Sequence, residues 1–180
     1  MKYVLSCLFA LSLISCWKIK SPYRENGPKV WGSKPVYAAE SDAKKIIYDA
    51  QKHPVTAPGA IYAIGNFIFQ VDMGRGIHVI DNRVPANATR IGFITVNGCS
   101  QVSVKGFYLY TNSYGDLVTI DISDISHIKV VSRLANTFPE MEYDYPLAQP
   151  EESGYYTCPQ PGSVVVGWVK DSVYMNCYKN

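Results

Sequence analysis

The chain repeats one pattern of short strands at an interval of about 40 residues. AIGNFIF at residues 63–69 aligns with VKGFYLY at 104–110, an offset of 41. IHVID at 77–81 aligns with LVTID at 117–121, an offset of 40, so one residue is missing between the two matched strands of the second copy. A period of this length built from short strands is typical of one propeller blade, which is a twisted four-stranded antiparallel sheet.

Each repeat predicts four strands in the same order. In the first repeat they cover residues 61–64, 67–72, 77–81 and 90–94, and in the second 102–104, 108–112, 117–121 and 129–132. Gly65 and Gly106 fall where tight turns favour a positive φ. Gly74 and Gly76 flank the second connection of repeat one, and Gly115 does the same in repeat two. Asp81 and Asp121 end the third strands, where an Asp side chain can accept a hydrogen bond from the next turn. We therefore predict a mainly β fold with two propeller-blade-like, four-stranded antiparallel sheets, an incomplete propeller, from repeats at about 59–98 and 100–138.

The segments on either side are expected to cover the ends of this two-sheet stack, because stacked repeats need neighbours to bury their faces. Residues 41–51, SDAKKIIYDAQ, begin with a helix-capping Ser and have apolar spacing, so they predict a short helix that ends before Pro54. Residues 163–169 and 173–177 are rich in valine and predict a C-terminal β-hairpin. The β domain would span 36–180, with a C-terminal extension at 139–180.

The N-terminus has the pattern of an export signal. Lys2 precedes an apolar run at residues 3–14, shorter than the roughly 20 residues that a membrane-spanning helix needs. LISC at 13–16 resembles a bacterial lipobox, which predicts a signal peptide at 1–15 and lipidation of Cys16; an ordinary signal peptide with a chance Cys is the alternative. Residues 16–35 are rich in Gly, Pro and Ser and predict a flexible tether.

Charge and the anchor define the expected partners. The formal net charge is +2, and the one local basic run, Lys18 to Lys29, is either solvated or placed against anionic headgroups. Because Lys and Arg cluster nowhere else, we expect no nucleic-acid partner. The predicted lipid makes the membrane a partner, and Trp17, in the position where Asp often retains lipoproteins at the inner membrane, favours the outer membrane. The expected location is the bacterial cell envelope.

Three cysteines remain once Cys7 leaves with the signal and Cys16 takes lipid. Disulfides persist in exported proteins. A bond between Cys158 and Cys177 would contribute roughly 3 kcal/mol and leave Cys99 free. The alternative is that all three are small buried apolar residues, because spacing does not establish pairing.

The sequence offers no constellation of catalytic groups. Its acids and histidines are separated, and His78 lies in a strand, facing away from Ile77 and Val79. No CxxC motif or histidine spacing predicts zinc, and we expect neither a metal nor a cofactor. Four aspartates lack the spacing of a calcium loop and are read as turn and cap residues: Asp72, Asp116, Asp121 and Asp124. We therefore expect a non-enzymatic protein, with an envelope hydrolase as a distant third hypothesis.

Four tyrosines form the candidate ligand contact. They crowd one proline-containing loop, at Tyr143, Tyr145, Tyr155 and Tyr156. Tyrosine rings stack on sugars or contact a protein at low entropic cost, although the same rings can simply pack the loop onto the sheet. The favoured function is a recognition or assembly module, and a glycan-binding accessory protein is the alternative. Exposed coplanar rings would favour the sugar.

The repeats resemble the LVIVD-repeat family, which is named for a strand like LVTID at 117–121. Further segments that look like a recurring N-terminal block of such bacterial lipoproteins are GIHVIDN at 76–82, VKG at 104–106, NTFP at 136–139 and VVVGW at 164–168. The turn between strands usually carries two prolines in this family, and here only Pro85 is kept. The resemblance implies propeller-like repeats on an exported lipoprotein. It implies no site residue, because the family has no settled biochemical role.

Overall fold

The computed structural model describes residues 27–141, 147, 149–160 and 163–180. Within them the strands form three sheets. Their bounds are β1 (Lys29–Ala38), β2 (Ile47–Asp49), β3 (Pro58–Ile64), β4 (Phe67–Asp72), β5 (Gly76–Asp81), β6 (Thr89–Thr95), β7 (Val102–Lys105), β8 (Tyr108–Ser113), β9 (Asp116–Asp121), β10 (Lys129–Leu134), β11 (Gly154–Tyr156), β12 (Val164–Tyr174) and β13 (Cys177–Lys179). A short helix α1 spans Glu40–Ala43, and 3-10 turns span Pro85–Asn87 and Pro139–Met141. No helix in this part of the chain has the length and apolar character needed to cross a bilayer.

The two repeats form the two predicted antiparallel sheets. Repeat one has the strand order β2-β6-β5-β4-β3, and repeat two has the order β10-β9-β8-β7. In repeat one Asp72 pairs with Gly76 across a three-residue turn, whereas Ser113 pairs with Asp116 across two residues. The one-residue deletion therefore lies in the turn between the second and third strands. The mainly β fold with propeller-like blades is confirmed, with β2 as an unpredicted fifth strand of repeat one.

Glycine provides left-handed backbone at some turns and space for close packing at another. One turn differs from the prediction. Gly65 and Gly106 take left-handed φ values of 55° and 60° in equivalent turns, as predicted. In the shortened turn the left-handed residue is Tyr114, with φ 53°, and not Gly115. Tyr114 is buried in an apolar cluster, so packing holds it in a conformation that costs roughly 1–2 kcal/mol in an L-residue. Gly76 is required for space, because a Cβ there would lie 2.3 Å from the Ile94 carbonyl oxygen.

The aspartates that end the third strands bind the turns that follow. Asp81 Oδ1 accepts a 3.0 Å hydrogen bond from the Arg83 backbone N–H, and Asp121 Oδ1 accepts one of 2.9 Å from the Ser123 N–H. The same side-chain-to-backbone bond thus recurs at matching positions, as the sequence predicted.

The main core lies between the two repeat sheets. Repeat one contributes buried side chains that point to one side of its sheet: Phe69, Val71, Ile77, Val79 and Ile94. Repeat two contributes Val102, Val104, Leu109, Val118 and Ile120. Burying each of these large side chains contributes roughly 1.5–3 kcal/mol relative to leaving it exposed.

The two sheets stack front to back. At an offset of 41, Phe69 aligns with Tyr110, yet the residue of β8 that enters the shared core is its neighbour Leu109. Successive residues of a strand point to opposite sides of the sheet. One face of repeat one therefore packs on the opposite face of repeat two, which is the arrangement of successive propeller blades.

The predicted helix at 41–51 is wrong beyond its first residues. Helix α1 ends at Ala43, and β2 pairs with β6 instead, with Ile47 opposite Thr95. The Tyr48 hydroxyl donates a 3.0 Å hydrogen bond to the Ile91 carbonyl. Its ring lies against Gly92, where a Cβ would be 2.3 Å from the tyrosine oxygen. Edge pairing and this aromatic contact thus override the helical spacing.

The third sheet contradicts two further predictions. Strand β1 pairs along β12 from Lys29 with Tyr174 to Ala38 with Val164, so residues 29–35 belong to a sheet and not to a flexible tether. Strand β12 runs unbroken, and β13 pairs with β11, so the predicted C-terminal hairpin does not form. A ten-residue partner strand offers β12 a longer ladder than a hairpin would.

The third sheet packs beside the turns between the second and third strands of both repeats and, among the described residues, does not cover the outer faces of the repeats. Val165 and Leu147 join Ala43 and Tyr114 in a second apolar cluster, beside the turn between β8 and β9. Arg75, in the matching turn of repeat one, forms an ion pair with Glu151. The flanking segments therefore do not cover the two sheets in the way that the sequence suggested.

Candidate functional site

The outer face of repeat two is a sheet surface with exposed apolar side chains. We define it by Tyr108, Tyr110, Leu117, Thr119 and Leu134, which the register places on one side of β8, β9 and β10. Tyr108 is 45% exposed and Leu134 is 57% exposed, and the other three are half-buried. A contiguous apolar surface of this kind is typical of an interaction site.

These residues occupy the positions that repeat one uses to bind its neighbour. The equivalent pairs are Phe67 with Tyr108, Phe69 with Tyr110, Ile77 with Leu117 and Val79 with Thr119. The four repeat-one residues all pack in the core between the sheets. The outer face of repeat two therefore keeps aromatic and apolar side chains where repeat one contacts a neighbouring sheet.

The outer face of repeat one is equivalent to the face of repeat two that is buried in the core. We define it by Ile61, Ala63, Ile68, Gln70 and Ile80, which lie on the opposite side of the sheet from Phe69. Ile61 is 64% exposed. The equivalent residues of repeat two are all buried in that repeat: Val102, Val104, Leu109, Thr111 and Ile120. Both ends of the stack thus expose positions that are buried in the other repeat.

His78 lies beneath the outer face of repeat one and is fully buried. Its ring centroid is 4.8 Å from that of Phe93, and its Nε2 is 3.4 Å from Asp72 Oδ2, an electrostatic contact and not a well-formed hydrogen bond. Neither ring nitrogen has a hydrogen-bond partner among the described residues. Burial lowers the pKa of His78, and the Asp72 carboxylate partly opposes that shift. Burial thus favours the uncharged imidazole.

Asp72 serves the backbone beside this histidine. Burial alone would raise the pKa of Asp72, but the N–H groups of Ala57 and Thr56 and the Thr56 hydroxyl bind its oxygens and lower it overall. Its carboxylate is thus occupied in fixing the loop that leads into β3.

Asp116 and Cys99 are likewise held by contacts within the fold. Burial would raise the pKa of Asp116, yet bonds from Lys44, the Asn136 N–H and Arg133 lower it overall. Burial raises the pKa of Cys99 to about 12, and its thiol donates to the Gly76 carbonyl at 3.4 Å. A thiol with so high a pKa is a poor nucleophile.

Among the described residues, no three His, Cys, Asp or Glu side chains gather in a way that could hold a metal ion.

The described residues include two of the four candidate tyrosines, Tyr155 and Tyr156. Tyr143 and Tyr145 lie outside the described residues, as does the candidate lipidation site Cys16. Tyr156 is buried and meets Trp168 edge-on at 5.5 Å, so it packs within the third sheet and is not open to a ligand. Tyr155 is 37% exposed and lies edge-on to Tyr178 at 68°. Tyr155 and Tyr156 are neighbours on one strand and point to opposite faces of the sheet, so these two rings do not form one surface for a sugar.

A disulfide joins Cys158 to Cys177, one of the two alternatives that the sequence left open. Their Cα atoms are 5.4 Å apart, and Cys99 is free and buried. The bond ties β13 to the chain after β11, next to the pair formed by Tyr156 and Cys177.

A groove of about 290 Å³ lies between the third sheet and the Arg75 turn. Trp168 and Val166 supply its apolar lining, and Arg75, Glu152 and Lys170 supply charges. Lys170 Nζ is 2.6 Å from Glu152 Oε2, so part of this charge is paired within the groove.

Sequence reasoning missed both the outer faces and the groove. The faces had a signal, because the alignment that revealed the repeats already set Tyr108 against Phe67. The groove had none, since it depends on a third sheet that brings Lys170 of β12 near Arg75 of repeat one.

Comparison with known proteins identifies one repeat. Residues 98–135 match the family model of the LVIVD repeat. No curated protein and no solved structure matches the chain. The matched residues contain β7, β8, β9 and β10, so the chain carries an LVIVD repeat and the resemblance to the LVIVD-repeat family is confirmed for repeat two.

Proposed function

We propose that the protein is a lipid-anchored, exported and non-catalytic recognition or assembly module of the bacterial envelope. The observation that carries this proposal is the pair of open apolar sheet faces at the two ends of the stack, with Leu134 and Ile61 as their most exposed side chains. Stacked repeats gain stability by covering such faces with a neighbour. A protein that leaves both open has surfaces suited to binding another molecule.

Two features support an exported location. The disulfide between Cys158 and Cys177 is of a kind that persists in oxidising compartments outside the cytosol. The apolar run before LISC at 13–16 has the pattern of an export signal with a lipobox. Acyl chains on Cys16 would hold the module at a membrane, with the outer membrane favoured by Trp17.

Replacing Cys16 with Ala is expected to release the protein from the membrane fraction, because the thiol that accepts the lipid is lost. Metabolic labelling with a fatty acid, followed by fractionation, measures both the modification and the location. Cys99→Ala is the matched control, since this buried thiol cannot accept the anchor, and it should remain labelled and membrane-bound. A Cys16→Ala protein that stays in the membrane with its label would refute the anchor.

Leu134→Arg is expected to abolish recognition without unfolding the domain, because this side chain is exposed on the outer face of repeat two. Cross-linking in intact cells and capture through a C-terminal tag should recover at least tenfold less linked material than wild type, the loss typical of a hot-spot residue. Trp31→Arg is the control, since Trp31 is 74% exposed but lies on β1. Equal recovery from both variants would contradict a role for this face.

A glycan-binding accessory protein is the second candidate. The groove favours it, because Trp168 offers an aromatic surface beside the charges of Arg75 and Lys170. In the same capture experiment, this candidate predicts bound glycan that Leu134→Arg does not reduce.

A further inference from the structure

We propose that two copies of this chain bind head to tail, the outer face of repeat two of one copy against the outer face of repeat one of the next. This inference rests on the proposed function and names its partner, a second copy of the same chain. It follows from the interface between the two repeats, because a second copy could stack on the first in the same way that one repeat stacks on the other.

The contact within the chain is the template. Strands β3 and β7 lie beside each other, and the Tyr62 hydroxyl donates a 2.9 Å hydrogen bond to the Val104 carbonyl. Behind this contact, Phe69 and Val79 of repeat one meet Leu109 and Ile120 of repeat two in one core. The interface thus joins the front of one repeat to the back of the next.

The chain carries both halves of this interface a second time, unpaired. The outer face of repeat two corresponds residue by residue to the front of repeat one, as Tyr108 corresponds to Phe67. The outer face of repeat one corresponds to the back of repeat two, as Ile61 corresponds to Val102, which is buried. One equivalent position is already covered within the chain, because His78, which aligns with Val118, is buried against Phe93. Applying the same stacking step once more therefore sets the exposed Tyr108 surface of one copy against the exposed Ile61 surface of the next.

The chemistry of the two faces suits such a contact. Their defining residues are aromatic, aliphatic or neutral polar, and the charged residues that share the Tyr108 side, Lys105, Asp121 and Lys129, lie at the strand ends, at the rim where charge is tolerated. On the face of repeat one, Arg90 lies beside Ile80 and donates a 2.6 Å hydrogen bond to the His53 carbonyl. The nearby charge of Arg133 is already paired with Asp116 at 3.0 Å on the inner side of the sheet. The position of Tyr62 is taken by Ser103 on the outer face of repeat two, so the tyrosine-to-carbonyl hydrogen bond of the template is not repeated there.

The geometry also sets the kind of assembly. A front-to-back contact uses two different surfaces, so it is heterologous and each docked copy still presents one free face. Successive copies would form a ring if the rotation closes and a filament if it does not. A symmetric dimer, in which the same face meets itself, is not expected.

Two variants of the full chain, each with one added cysteine, test the orientation. Ser103→Cys lies at the position equivalent to Tyr62, and Ala63→Cys at the position equivalent to Val104; both residues are exposed. Membranes from cells that express both variants should give a dimer linked through residues 103 and 63 when treated with a short bismaleimide. Cells expressing either variant alone should give none. Cys99 should not interfere, because it is buried and its pKa is raised to about 12.

Face variants supply the control. Adding Tyr108→Arg to the Ser103→Cys copy, or Ile61→Arg to the Ala63→Cys copy, should reduce the linked dimer at least tenfold, whereas Trp31→Arg should leave its yield unchanged. The inference is overturned by links between two 103 positions, by no links in any mixture, or by equal yields from all face variants. In those cases the proposed function still stands if Leu134→Arg loses a different envelope partner, and it falls as well if that variant loses nothing.

Discussion

Ile120→Ala is expected to lower the free energy of unfolding by about 2–5 kcal/mol, and Ile80→Ala to lower it by clearly less. The two residues occupy equivalent positions on the third strands of the repeats. Ile120 is fully buried between the sheets, whereas Ile80 lies on the outer face of repeat one and is only partly buried. Truncating the side chain to alanine therefore leaves a cavity at Ile120 but little cavity at Ile80.

Urea unfolding of the two variants and wild type measures this difference. The slope of free energy against urea should stay the same in all three, because the surface exposed on unfolding barely changes. Val118→Ala, at another buried position of β9, is a matched control and should also be costly. Equal losses for Ile80→Ala and Ile120→Ala would mean that the outer face of repeat one is covered in solution, which the head-to-tail contact also predicts at high protein concentration. The measurement is therefore made over a dilution series.

The repeats align Ile80 with Ile120, but this alignment alone does not decide whether both are core residues. The reason is physical. Repetition fixes which residues share a strand position, but front-to-back stacking buries opposite faces of the two sheets. Only the order of the sheets in space decides which face is covered, and a strand pattern such as IHVID at 77–81, apolar on both faces, does not reveal it.

The strands of the repeats were predictable because their signals are local. Alternating apolar residues, glycine turns and the terminal Asp81 and Asp121 all act within a few residues of one another, and the structure places each of the eight predicted strands. The third sheet was not predictable in this way. β1 pairs with β12 more than a hundred residues away, and the lone local cues, a Pro and Gly-rich composition near residues 27–35, favour a loop.

The same difference between local signals and long-range packing explains which features of the candidate sites could be predicted. Cysteine pairing between 158 and 177 could be offered as an alternative, because few cysteines remain in the exported chain. The tyrosines of the loop could not be sorted by exposure, since Tyr155 and Tyr156 are neighbours on one strand and must point to opposite faces. Tyr156 packs inward on Trp168, and Tyr155 points away from that contact.

Removing the disulfide by the double change Cys158→Ser and Cys177→Ser is expected to lower stability by roughly 3 kcal/mol, the value for a loop of about this length in the chain-entropy view. The loss should fall on the third sheet. Strand β13 has three residues and, within the described part of the chain, pairs with β11 alone, which is equally short, so the cross-link supplies much of what holds this edge. The sheets of the two repeats share a separate core and should keep their fold.

Hydrogen exchange read by mass spectrometry locates the loss. Amides of β11 and β13 should exchange faster in the double variant, and those of β5 and β9 should exchange as in wild type. Reducing agent is the internal control, because it should reproduce the change in wild type and add nothing in the variant. Alkylation under denaturing conditions should show two further labelled thiols after reduction, since Cys158 and Cys177 are released while Cys99 is already free. Labelling of all three thiols without reductant, or faster exchange throughout the repeats, would show that the cross-link does not stabilise the third sheet in the way this structure indicates.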